Sequence, residues 1–352
     1  MSIINGRFLY MKKPFSSYIF LSVLTVFLLL QLSFAGTAKS AQDSPAVITR
    51  KATVMGTNLE VTLAGIDTHR ADKAFEVIVE EFGRIEKELS EWRGDTYVIK
   101  INKNAGKSPV TVPAELFKII TAAQIVSSVS DGAFDITWAS MWGLWDFASK
   151  TPKVPDKAKV RERLKKVNYK AVVTDSKKST VFLSKAGMAM GLGGIAKGYA
   201  VDSAARLLNK MGIKDFIIKA GGDMRVQGSL GGKLWRIGIR HPRSKDKLLA
   251  RLPLKNISIS TSGDYEHFFI KDGVLYHHII DPRTGYPARG SRSVTIIGPD
   301  TMTTDALSTA VFVMGPRAGL ALVERLTGIE AIIVDEKGGL HRSRGIRGMG
   351  LR

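Results

Sequence analysis

Two adjacent histidines stand in the run Tyr276-His277-His278-Ile279-Ile280-Asp281-Pro282-Arg283-Thr284-Gly285. The apolar stretch reads as a strand, and Asp-Pro-x-x-Gly reads as a tight turn at its end. Such a turn can hold an imidazole in a cleft, where His278 would act as general base for a hydroxyl nucleophile. A His-His pair can equally pack within a sheet, so this run alone leaves both readings open. Farther on, Thr303-Thr304-Asp305-Ala306-Leu307-Ser308-Thr309 puts Asp305 and Thr309 four apart, on one face of a helix. A carboxylate beside a hydroxyl suits a hard, oxygen-preferring cation such as Mg²⁺, although an Asp near a helix start also serves as a cap.

Between these runs in chemical interest lies Gly193-Gly194-Ile195-Ala196-Lys197-Gly198-Tyr199, which opens an apolar-periodic helix. Paired glycines let backbone approach a ligand, and a helix N-terminus attracts phosphate. The segment is no P-loop, because Gly rather than Ser or Thr follows Lys197. Asp131-Gly132-Ala133-Phe134-Asp135-Ile136-Thr137 reads as a turn into a short strand, and Val54-Met55-Gly56-Thr57 as a strand broken by a Gly turn. Ala220-Gly221-Gly222-Asp223 is a further Gly-rich turn whose spacing assigns no chemistry.

The elements that must carry these residues are mixed. Ala71, Phe75, Ile78, Phe82, Ile85 and Leu89 recur every three or four residues, which predicts an amphipathic helix over 67–92. Pro113 opens a second helix with Leu116, Ile119, Ala123 and Val126 inward. The Lys-rich stretch 151–169 predicts a surface helix, and Asp175 to Ser179 a hairpin turn. Strands are expected at 216–220, 235–240, 257–260, 265–270, 274–280, 293–297 and 331–334, with helices at 303–314 and onward to Leu326. Most strands are linked by hairpins rather than by βαβ crossovers. The fold class is therefore α+β, with mainly antiparallel sheets and packed helices in one large domain.

Composition bounds the setting. The chain has 352 residues, no cysteine and a formal charge of +20. Disulfides, thiolate metal sites, a cysteine nucleophile and a lipobox are excluded. Lys12 and Lys13 precede the uncharged run Tyr18 to Leu32, followed by small residues near Ala35, in the order of a secretory signal. Ser33-Phe34-Ala35 offers a cleavage site and Ala38-Lys39-Ser40 a second. The alternative is an uncleaved anchor, since the stretch from Phe15 to Ala35 nearly suffices to span a bilayer. Residues 1–35 are thus signal or anchor, 36–48 a linker, and 49–348 the working domain. Export argues against a nucleic-acid partner. Removing Arg7, Lys12 and Lys13 leaves +17, which suits a phosphate-bearing ligand, an anionic membrane surface or a plain solvated face.

Taken in order, MGT, GAFDIT, GGIAKGYAVD, AGGD, SGDYEHFF, HHIIDPRTG and TTDALSTA resemble the ApbE family of FAD:protein FMN transferases, from about Lys51 to Gly348. The resemblance implies an ApbE-like fold and a Mg²⁺-dependent enzyme that splits FAD. It would attach FMN through a phosphoester to a Thr or Ser of an acceptor flavoprotein and release AMP. Acceptors would be subunits of membrane redox complexes, at the periplasmic or outer face of the cytoplasmic membrane. By the same resemblance His278 is the base. Gly194 (through its carbonyl), Asp305, Ser308 and Thr309 fall at metal positions, and Met55, Trp92, Ala133, Phe134, Asp135, Lys197 and Ile279 at FAD positions. The chain departs from the family pattern at Gly191, where Asp is usual, at Ser308, where some members have an acid, and at Trp92, often Tyr. Competing readings are a hydrolase giving FMN and AMP with water as acceptor, and a non-enzymatic FAD carrier.

Overall fold

In a computed structural model, residues 46–92 and 94–348 are described. The apolar segment 15–35 and most of the linker lie outside them. Strand β1 (Val47–Val54) begins inside the expected linker and pairs with β2 (Thr57–Ala64) across Met55-Gly56. Both turn residues have positive φ, 47° and 69°, as a two-residue hairpin loop requires. Helix α1 (Thr68–Leu89) is capped by Asp67, which accepts the Arg70 N–H, and buries Ala71, Ala74, Ile78, Phe82, Ile85 and Leu89. Phe75 is only partly buried at its edge.

A short helix that the sequence pattern did not predict, α2 (Tyr97–Lys103), leads through β3 (Val110–Thr111) to α3 (Ala114–Val129). The strand expected after Asp131 is instead a 3₁₀ turn over Ile136–Met141. Asp135 explains the difference, since its carboxylate accepts the Thr137 N–H and nucleates a helical turn. The Lys-rich stretch is helical only as α4 (Lys157–Leu164). Strands β4 (Val172–Asp175) and β5 (Thr180–Leu183) form the expected hairpin.

Helix α5 (Ala196–Lys210) precedes β6 (Phe216–Ala220), β7 (Asp223–Gln227), β8 (Trp235–His241), β9 (Ser244–Leu254) and β10 (Ile257–Gly263). The hairpin β11 (Phe268–Lys271) and β12 (Val274–His277) follows, then β13 (Ser291–Gly298). Helix α6 (Thr301–Val323) is broken at Gly315, whose φ of 76° and ψ of 174° are non-helical, just before Pro316, so two helical segments meet where two helices were expected. Strands β14 (Glu330–Asp335) and β15 (Leu340–Arg342) and helix α7 (Arg344–Gly348) complete the described chain.

One antiparallel sheet of eight strands, ordered β1-β2-β6-β7-β10-β13-β14-β15, organises the domain. Its pleat separates two cores. Leu59, Val61, Ile218, Val294, Ile296 and Ile333 face α1, α3, α5 and α6. Val226, Ile259, Ile297 and Ile332 face the opposite way, onto the β8–β9 ribbon with Trp235, Ile237 and Leu252. Apolar α6 is therefore a core helix, packed on β10 and β13. The antiparallel α+β expectation holds.

Candidate functional site

Helices α5 and α6 meet at their N-termini, and each caps the other. Asp305 of α6 accepts the Gly198 N–H of α5 at 3.0 Å, while Asp202 of α5 accepts the Thr301 and Met302 N–H groups at 2.9 Å each. A Cβ at Gly198 would lie 2.3 Å from the Thr301 carbonyl oxygen and 2.8 Å from Asp305 Cβ. Only glycine permits this approach. Two helix N-termini, with their partial positive charge, thereby converge on one spot.

A charge cluster sits there. Lys197 Nζ lies 3.5 Å from Asp223 Oδ2 and 3.9 Å from Asp305 Oδ2, and donates to the Gly193 carbonyl at 3.3 Å. The two carboxylates hold the Lys197 ammonium well above its ordinary pKa. Burial, together with mutual repulsion, pushes Asp305 up, with Lys197 pulling the other way. Asp223 had no sequence signal beyond a Gly-rich turn. The β6–β7 reversal delivers it to the cluster, a relation that only the sheet topology creates.

Two acids against one ammonium leave an excess negative charge. Beside it, Thr309 Oγ faces Gly194 across the cleft, where a Cβ would meet the Phe134 ring at 3.0 Å and Thr309 Oγ at 3.8 Å. Asp305 and Thr309 present oxygen donors on the cleft wall, the donor type that a hard cation such as Mg²⁺ takes, while no group of three or more His, Asp or Glu side chains is gathered for a metal among the described residues. Ser308 does not join them. Its hydroxyl donates to the Asp305 carbonyl at 2.8 Å and shares a 2.7 Å bond with Ser262, which itself lines the cleft and lies 3.3 Å from Thr309 Oγ1.

The two histidines have separate fates, as alternate pleat positions dictate. His277 is 2% exposed. Its Nδ1 accepts the Ile279 N–H at 3.2 Å, so Nε2 carries the proton donated to the Ala288 carbonyl at 2.9 Å. That ring is structural. His278 lines the cleft with its backbone N–H on the His267 carbonyl and its ring edge-on to His267, centroids 5.4 Å apart. Burial first, then His267, His277 and Lys197, push its pKa down to about 4. The imidazole is therefore neutral at physiological pH, as a proton acceptor must be. The following turn is braced by Arg283, whose guanidinium grips the Asp281 carboxylate at 2.9 and 2.8 Å.

These groups line one cleft of about 1610 Å³, large enough for a dinucleotide with room for an acceptor side chain. Met55, Trp92, Ala133, Phe134, Asp135, Lys197, His278, Ile279, Gly194, Asp305 and Thr309 all lie on its walls. Met55 is held at positive φ, with its N–H on Glu86 at 3.3 Å. Trp92 is 67% exposed and packs against Trp142 with centroids 4.3 Å apart and the rings tilted by 39°, a second ring that the sequence pattern did not single out. Asp135 is committed to its own surroundings, accepting from the Thr137 N–H and hydroxyl and from the Tyr169 N–H. Among the predicted residues, only Ser308 is absent from the cleft wall.

The profile of the ApbE family matches residues 55–333. The chain belongs to the ApbE family. A Klebsiella pneumoniae FAD:protein FMN transferase is 34% identical over 290 residues, 82% of this chain and 89% of its own length. One from Treponema pallidum is also 34% identical, over 73% of this chain and 76% of its own. The crystal structure of the ApbE protein of Thermotoga maritima superposes at a TM-score of 0.78 with 37% identity, covering 86% of this chain and 99% of its own. An apo flavinyl transferase ApbE from Pseudomonas stutzeri gives 0.77 at 27% identity, covering 87% and 97%. The reciprocal helix capping and the Lys197–Asp223–Asp305 cluster are thus features of an ApbE domain.

Proposed function

We propose that this ApbE-family chain is an FAD:protein FMN transferase that acts on a Thr or Ser hydroxyl of an acceptor flavoprotein. The observation that carries the reading is a neutral imidazole, His278, in the same cleft as the Lys197–Asp223–Asp305 cluster and the N-terminus of α5. A carrier that merely bound FAD would have no use for such a base. The relatives' names support the same chemistry.

In the reaction the acceptor hydroxyl oxygen bonds to the FMN-side phosphorus, and the bond from that phosphorus to the bridging oxygen breaks. The hydroxyl proton passes to the His278 ring, and AMP leaves with the bridging oxygen. Lys197, at the N-terminus of α5 on the cleft wall, holds the pyrophosphate and offsets its charge. Asp305, Thr309 and the Gly194 carbonyl would hold Mg²⁺, which when bound would neutralise charge on the transferring phosphoryl group. Met55, Trp92 and Phe134 offer apolar and aromatic surface to the FAD rings.

The setting follows from the N-terminal segment and the charge. We place the enzyme outside the cytoplasmic membrane, as an exported or anchored protein, with subunits of membrane redox complexes as acceptors. Incubation with FAD, Mg²⁺ and a threonine-bearing acceptor, read by in-gel flavin fluorescence and AMP release, tests this. A fluorescent acceptor band with matching AMP is expected. AMP without a band would make the chain a hydrolase instead.

A further inference from the structure

One carboxyl in the cleft has no part in the cluster described above. Glu91 follows the C-terminus of α1 and reaches the loop before Gly193-Gly194, where its Oε2 accepts the Leu192 N–H at 2.7 Å. Its Oε1 has no hydrogen-bond partner among the described residues and lies 4.0 Å from where a Gly193 Cβ would be. Space for this carboxyl exists because residue 191 is glycine. A Cβ there would stand 3.0 Å from Glu91 Oε2 and 2.8 Å from the Trp142 ring. Around it are Trp92 and Trp142, tilted against each other, and the Trp142 indole N–H is buried without a partner among the described residues.

We propose that Glu91 is a ligand-recognition residue, its free oxygen accepting a ring N–H of FAD where that ring stacks on Trp92. The proposal rests on the flavin-transferase reading. An aromatic recess that also holds a hydrogen-bond acceptor matches a flat heterocycle with a polar edge. Both FAD rings present such an edge, the isoalloxazine through its imide N–H and the adenine through its amine. Glu91 thereby supplies a carboxyl at the place that Gly191 leaves vacant, which answers the departure from the family pattern noted in the sequence. Burial pushes the acid up to about 7, and a hydrogen bond donated by a bound ring would favour its charged form.

Glu91→Gln separates recognition from a merely structural role. The amide oxygen can still accept the Leu192 N–H, which keeps the loop, but the cleft then receives an NH₂ donor in place of an acceptor. Fluorescence titration with FAD and FMN, and calorimetric titration with AMP and inorganic pyrophosphate, read the result. Glu91→Gln should keep the melting temperature and pyrophosphate affinity while weakening FAD by about tenfold or more, the worth of a charged hydrogen bond. A parallel loss for FMN assigns the flavin ring, and a parallel loss for AMP assigns the adenine. Unchanged FAD affinity, or an equal loss for pyrophosphate, overturns the proposal. Failure of the unaltered protein to bind FAD would instead sink the transferase reading.

Discussion

The base character of His278 comes from its neighbours rather than from its place in a His-His pair. Burial and the nearby cation Lys197 disfavour the imidazolium, while His277 spends both ring nitrogens on the backbone. The folded pKa lies below the ordinary value near 6.5. The ring's contribution to stability is therefore complete above that value and is lost as pH falls towards about 4. An NMR titration of the free protein, with the His278 signal assigned through His278→Ala, should place the midpoint well below 6.5. A midpoint at or above 6.5 would contradict the burial argument. The same variant should still bind FAD yet lose about 10²–10⁴-fold in transfer rate, the usual worth of a positioned base. Asp305→Asn removes the only carboxylate in the proposed Mg²⁺ set. The Mg²⁺ concentration for half-maximal activity should rise more than tenfold, and an unchanged Mg²⁺ titration would place the metal elsewhere.

At the scale of elements, the site depends on α5 and α6 touching at their first turns. Gly198→Ala puts a methyl carbon against the Thr301 carbonyl, a backbone atom that cannot step aside. We expect a loss of about 1–3 kcal/mol by denaturant unfolding. A larger fall in activity than in stability is expected too, because Asp305 loses its fixed distance to the α5 N-terminus. A variant with unaltered stability and rate would mean that the close contact does not set the site. This contact also marks the limit of what the sequence discloses. The amphipathic α1, the α3 start at Pro113 and the His278 strand end were readable, because periodicity and turn residues are local signals. Asp223, Glu91 and Trp142 were not, since sheet order and loop crossing bring them to the cleft. Helix α2 escaped notice because seven residues carry too short a period to detect.

For the whole molecule, the charge is unevenly spread. Residues 150–185 carry twelve Lys and Arg against Asp156, Glu162 and Asp175, and so hold more than half of the +17 carried by residues 36–352. Asp156 and Asp175 cap backbone N–H groups, and none of the twelve cations forms an ion pair among the described residues. This face adjoins the site, because α4 packs through Val160 and Leu164 against Gly285 of the Asp281 turn. Unpaired cations next to a cleft are suited to an anionic membrane surface. Vesicle flotation should show binding to anionic but not neutral lipid, weakened by salt. Replacing Lys157, Lys159, Arg161 and Lys165 by Gln should reduce it while leaving FAD affinity intact. Equal binding to neutral vesicles would assign the charge to solubility alone.

Covalent transfer of FMN is the decisive event. Mass spectrometry of a purified acceptor, after incubation with the protein, FAD and Mg²⁺, measures it directly. The predicted result is a mass gain of one FMN less water, mapped to a single Thr or Ser peptide, with AMP released in equal amount. An acceptor of unchanged mass, while the protein holds FAD intact or turns it over to free FMN and AMP, would contradict it.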